Sequence, residues 1–200
     1  MTVRSFALSF DYRCPFAAIL HRHVISALRA GADYHVEFVP WTLTQNYRVE
    51  GDPDVWTDPK RDSHLIALAA GVSVRDQQPD LFLDSHEALF IARHVDGVRL
   101  STMTEVSAVL SKVGVNIAKL DNDLASRRPY DVIGENFRAY ERYEAFGVPT
   151  MVIGNDAVFI RYMDLPTSDA NASIELIDSL INTMTNQRSL NEFKHTQLSA

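Results

Sequence analysis

The residue best equipped for chemistry is Cys14, the single cysteine among 200 residues. It stands in Phe10-Asp-Tyr-Arg-Cys-Pro-Phe-Ala17. Asp11-Tyr-Arg-Cys14 reads as a turn, and Pro15 suits the first position of a helix, where its missing N–H is not needed. A cysteine placed there faces unpaired N–H groups and the positive end of a helix dipole, and both favour thiolate over thiol. The expectation is a pKa below the ~8.5 of free cysteine and rapid alkylation near neutral pH. Arg13 adds positive charge if its side chain turns inward. Free cysteine is also a common small core residue, but its place in the turn favours function. One cysteine cannot form an intramolecular disulfide, which points to a reducing, cytoplasmic setting.

Few other residues compete. His21 shares the helix side of Cys14 but sits about 10 Å further along the axis, outside hydrogen-bonding reach. His64, His86 and His94 have no cysteine partners and no His-x-x-x-His spacing, so no metal is expected. Asp11 and Tyr12 flank the cysteine and could contact substrate, although a turn-forming Asp is the commoner role. The net charge of −7 opposes affinity for nucleic acid. No stretch of about 18 apolar residues is present to span a membrane, and Met1 to Phe10 lacks the pattern of a secretory leader.

The elements that position Cys14 follow from periodicity. Arg4 to Phe10 alternates as a strand, with Phe6, Leu8 and Phe10 on one face. Pro15 to Arg29 is a helix ended by Gly31, and Tyr34 to Val39 is a second strand. A polar loop to about Asp58 precedes five helical segments: Pro59 to Ala70 ending at Gly71, Leu83 to Val95, Thr102 to Val113, Ile117 to Ser126, and Pro129 to Phe146. Gly147-Val-Pro-Thr150 then leads into a hairpin, Thr150 to Ile153 and Ala157 to Tyr162. Ala172 to Met184 is a last helix, followed by a polar tail. The order is a βαβ unit, a helical block and a ββα unit. This predicts an α/β thioredoxin-like fold with a helical insertion: residues 1–42 and 147–186 form one discontinuous domain, residues 43–146 the insertion, and residues 187–200 the tail.

With those elements in order, the cysteine turn resembles the active-site turn of DsbA-like thioredoxin-fold proteins, particularly the FrnE-like branch. Gly147-Val-Pro-Thr150 resembles the cis-proline loop that faces the cysteine in that fold. Asp84-Ser-His-Glu-Ala-Leu-Phe90 and Val109-Leu-Ser-Lys-Val-Gly114 resemble its inserted helices. The resemblance implies that Cys14 is catalytic and that Asp11, Tyr12, Pro15, Phe16, Ala17, Val148, Pro149 and Thr150 border the substrate, with Val148 offering its backbone. Dithiol members carry a second cysteine where this chain has Ala17, so internal resolution of a mixed disulfide is excluded.

Three functions fit. The first is a monothiol thiol–disulfide oxidoreductase whose intermediate is resolved by an external thiol. The second is a glutathione- or mycothiol-dependent isomerase or transferase on small aromatic substrates, like hydroxychromene-carboxylate isomerases and kappa-class glutathione transferases. The third is a non-enzymatic peptide-binding module. No tightly bound cofactor is expected beyond glutathione or another low-molecular-weight thiol. The insertion is expected to roof the cysteine, with Trp41, Tyr47 and Trp56 as wall candidates; exposed apolar faces on it would instead favour a homodimer.

Overall fold

In the computed structural model, which describes residues 4–195, strand β1 (Arg4–Phe10) is the centre of construction. It pairs in parallel with β2 (Tyr34–Pro40) and antiparallel with β3 (Thr150–Ile153), which pairs antiparallel with β4 (Asp156–Phe159). The sheet order is β2-β1-β3-β4. Phe6, Leu8 and Phe10 are buried as their alternation requires, and Ser9 between them is buried as well. Fully burying a side chain of the size of Leu8 or Phe10 stabilises by roughly 1.5–3 kcal/mol.

Helix α1 (Pro15–Arg29) returns the chain from β1 to β2. Pro15 occupies its first turn, and Gly31, at φ +85°, follows its end. Ala17, Leu20 and Val24 enter the core, and the helix packs against α7 (Ala170–Asn186) and against α3 (Phe82–His94). Between β2 and β3 lie α2 (Asp62–Gln77), α3, α4 (Met103–Leu110), α5 (Ile117–Ala125) and α6 (Arg128–Glu141). This is the thioredoxin-like fold with its helical insertion. The chain enters α4 through a capping box, in which Thr102 Oγ1 accepts from the N–H of Glu105 and the Glu105 carboxylate accepts from the N–H of Thr102.

Several boundaries differ from the sequence reading. Pro59–Arg61 is a single 3₁₀ turn, and α2 begins after it. Gly71 does not end α2, which continues to Gln77. It lies in the helix because a Cβ there would come within 2.4 Å of the Tyr12 hydroxyl and 2.8 Å of its ring. The glycine makes room for the tyrosine next to the cysteine turn. Helix α6 stops at Glu141 rather than Phe146, and Glu144 in the following turn has φ +52°. Helix α7 starts two residues early, where Asp169 caps it by accepting from the N–H of Asn171 at 3.0 Å. Of the expected tail, residues 187–195 carry no helix or strand, and residues 196–200 lie outside the described part. Residues 1–3, where the leader was sought, also lie outside it. No helix among the described residues is long and apolar enough to cross a membrane.

Candidate active site

Cys14 occupies the N-cap position of α1 in extended conformation, half-buried. Its thiol donates to the carbonyl of Val148 at 3.2 Å. The Val148–Pro149 peptide bond is cis. The Pro149 carbonyl accepts from Ile160 N–H at 3.0 Å, and Thr150 N–H donates to Ser9 Oγ at 2.8 Å. The loop before β3 is thereby fixed against β1 and the residue after β4, and it presents Val148 to the sulfur.

The expected depression of the thiol pKa is not what the surroundings produce. Burial pushes Cys14 up from its ordinary value, opposed by the nearby N–H groups of Ala17 and Phe16. The negative charge of Asp11 adds to the rise and the positive charge of Arg161 opposes it. The sulfur caps neither N–H in hydrogen-bonding geometry and donates to Val148 instead. A bond to a carbonyl exists only for the protonated thiol, so it favours the neutral form. Helix position is therefore outweighed by desolvation and by the acceptor opposite.

The other expected contact residues divide clearly. Pro15 is exposed and Phe16 partly so, beside the sulfur at the start of α1. Ala17, Val148, Pro149 and Thr150 are buried. Asp11 and Tyr12 are bonded inward. Asp11 accepts from the N–H of Arg13 at 2.9 Å and from the hydroxyl of Thr42 at 2.9 Å, and burial raises its pKa. Arg13 acts electrostatically on Asp11 and His64. The arginine whose charge reaches Cys14 is Arg161, stacked on the Phe16 ring at 4.4 Å from its centroid. Nothing in the sequence near Cys14 announces Arg161, which the sequence places inside the second hairpin strand (Ala157 to Tyr162); that strand ends at Phe159, so Arg161 lies beyond it.

Histidines of the insertion, set aside in the sequence for want of metal spacing, hold the cysteine turn. His94 donates from Nε2 to the carbonyl of Tyr12 at 2.9 Å. His21, wholly buried on α1, bonds through Nε2 to the carbonyl of Ser9 at 3.1 Å. A carbonyl only accepts, so Nε2 carries the proton and the neutral ring leaves Nδ1 bare. That Nδ1 must accept from Nε2–H of His86 on α3 at 2.9 Å, and His86 Nδ1 must accept from the Tyr12 hydroxyl at 2.8 Å. The tautomers of both rings are thus dictated by one carbonyl. Phe10, Phe82 and Phe90 surround His86, with ring centroids 4.6–4.9 Å away. Burial lowers the His21 pKa to about 3 and puts that of His86 well below its ordinary value.

Trp41 and Trp56 are buried and pack on Phe137 of α6, with centroids 5.0 and 5.3 Å away, so they belong to the core beneath the insertion. Tyr47 is 79% exposed.

This fold has counterparts among solved structures. DsbA of Pseudomonas aeruginosa is similar with a TM-score of 0.58 at 20% identity, over 94% of this chain and 88% of that one. MdbA of Actinomyces oris, a thiol-disulfide oxidoreductase, gives 0.60 at 20% identity over 90% and 79%. A thioredoxin-like oxidoreductase from Silicibacter pomeroyi gives 0.55 at 16% identity over 88% and 86%. At these identities the likeness establishes the fold. No curated protein sequence matches the chain. The family model for the DSBA-like thioredoxin domain matches residues 7–167, four-fifths of the length and every element of the site. The chain belongs to the DSBA-like thioredoxin domain family.

Proposed function

We propose that this chain is a monothiol thiol–disulfide oxidoreductase with Cys14 as its nucleophile. The observation that carries the reading is the placement of the Cys14 sulfur at the N-cap of α1, 3.2 Å from the Val148 carbonyl and beside Pro149. A substrate's extended backbone can dock along the Val148 edge and displace the thiol from its acceptor, releasing it for deprotonation. The Cys14 thiolate then attacks one sulfur of a disulfide. A sulfur–sulfur bond forms to Cys14, and the other sulfur leaves as a thiolate that takes up a proton. Ala17 cannot complete the cycle, so an external thiolate attacks the mixed disulfide, forms the product disulfide and returns Cys14 as a thiol. Electrons balance across the two exchanges. Glutathione or a comparable small thiol is the natural resolving partner in a reducing cytoplasm.

The test is turnover of a small disulfide with increasing external thiol. Rate should depend on that thiol, and Cys14→Ser should abolish it; activity retained in Cys14→Ser would overturn the proposal.

One observation favours a second reading. The thiol is held neutral, as a donor, and a donor could steady the thiolate of a bound glutathione or mycothiol. The chain would then be an isomerase or transferase of the hydroxychromene-carboxylate isomerase or kappa-class type within the FrnE-like branch. Glutathione binding that survives Cys14→Ser would support this alternative, and loss of all binding would remove it.

A further inference from the structure

Arg161 is the arginine of this acidic protein that lies against the start of the cysteine helix. Arg29, Arg75, Arg127, Arg128 and Arg138 each close on a carboxylate within 3.0 Å. Among the described residues Arg161 and Arg13 form no salt bridge and are exposed, as are Arg99 and Arg142, but of these only Arg13 and Arg161 lie at or against the cysteine turn. Arg13 belongs to the cysteine turn itself. Arg161 follows Ile160, the residue whose N–H holds the Pro149 carbonyl, and its guanidinium carbon lies over the ring of Phe16, two positions after Cys14, at 4.4 Å from the centroid. A cation held over an aromatic ring keeps its N–H donors available, and the planar guanidinium fork matches a carboxylate; Arg161 makes no salt bridge among the described residues. The contact with Phe16 also restrains a long side chain that would otherwise lose rotamer freedom on binding.

We propose that Arg161, with Arg13 in support, selects partners that carry a carboxylate close to the reacting sulfur. The inference rests on Cys14 being the reacting group. Its chemistry is the exchange already described. The Cys14 thiolate displaces one thiolate from the partner disulfide while the partner's carboxylate is held by the arginine. Carboxylates of a small thiol and acidic residues beside a polypeptide cysteine share this chemistry.

The test is the rate of mixed-disulfide formation at Cys14 with three aliphatic disulfides: dithiodipropionate (anionic), hydroxyethyl disulfide (neutral) and cystamine (cationic). Each is measured for the unaltered chain and for Arg161→Gln, followed by intact mass. Any change in thiol acidity caused by the substitution affects all three reagents equally, so rates are normalised to the neutral one. The normalised rate with dithiodipropionate should fall about fivefold in the variant, the scale of one exposed charge pair. That with cystamine should rise, and both effects should shrink in high salt. Equal factors for all three reagents would overturn the proposal while leaving Cys14 as nucleophile. Absence of any adduct would remove the underlying reading and the proposal together. Peptide disulfides with Asp or Lys beside the cysteine separate the sources. A preference for Asp assigns a polypeptide partner, and a preference confined to dithiodipropionate assigns a small thiol.

Discussion

Acidification should loosen the joint between α1 and the insertion, and its size follows from the buried histidines. His21 is neutral when folded, with a pKa of about 3, against 6.5 for an exposed histidine. Above pH 7 neither the folded nor the unfolded chain protonates it, and stability is unaffected. Below 6.5 the unfolded chain binds a proton that the folded chain refuses, so stability falls as pH falls until about 3. At 1.36 kcal/mol per unit, the loss between pH 6.5 and pH 5 is about 2 kcal/mol. His86 is equally buried with its pKa also well depressed, so it adds to the loss in the same direction. Urea denaturation at pH 7 and pH 5, for the unaltered chain and for His86→Leu, measures both. The variant should be less stable at pH 7, because the Tyr12 hydroxyl and His21 Nδ1 lose their partners, at about 1–3 kcal/mol per buried group. Its further loss on going to pH 5 should be smaller than that of the unaltered chain, because one buried neutral histidine has been removed. Histidines that do not touch His86 are present in both proteins and cancel. An equal loss in the two proteins would refute the assignment of His86 as a buried neutral link.

Three further predictions concern the cysteine turn. Asp11→Asn removes the negative charge that helps raise the Cys14 pKa, so alkylation by iodoacetamide at pH 7.5 should become severalfold faster; an unchanged or slower rate would contradict that electrostatic role. Gly71→Ala places a methyl 2.4 Å from the Tyr12 hydroxyl, and overpacking of this kind costs about 1–3 kcal/mol, visible as a lowered Tm. An unshifted melt would show that Tyr12 moves freely. Ala17→Cys supplies a second thiol three residues after Cys14 and should release the mixed disulfide without external thiol; continued thiol dependence would show that position 17, which is buried, cannot reach the intermediate.

The β1–α1–β2 unit was legible because local chemistry determines it. Alternating apolar residues build β1, Pro15 opens α1 and Gly31 closes it, and the structure places these elements at the expected residues within one position. Cys14 and the Val148–Pro149 loop were legible for the same reason, as a turn before a helix and a break before a hairpin. Gly71 was misread because a glycine in a helical pattern signals a stop, whereas its purpose here is the approach of Tyr12, 59 residues earlier. The acidity of Cys14 was misjudged because helix position can be read locally while burial and the Val148 acceptor depend on the tertiary fold. His21, His86 and Tyr12 form a chain across 74 residues, and no spacing rule in one sequence connects them. Arg161 was missed likewise, since its link to Cys14 runs through its contact with the Phe16 ring, which only the tertiary fold creates.

As a monothiol nucleophile, Cys14 would form a mixed disulfide that only an outside thiol can resolve. Intact-mass spectrometry after exposure to a small disulfide and removal of excess reagent tests it directly. A single adduct is expected that maps to Cys14, persists without added thiol, disappears when thiol is supplied and is missing in Cys14→Ser. A chain that remains unmodified, or an adduct that is lost without any added thiol, would contradict it.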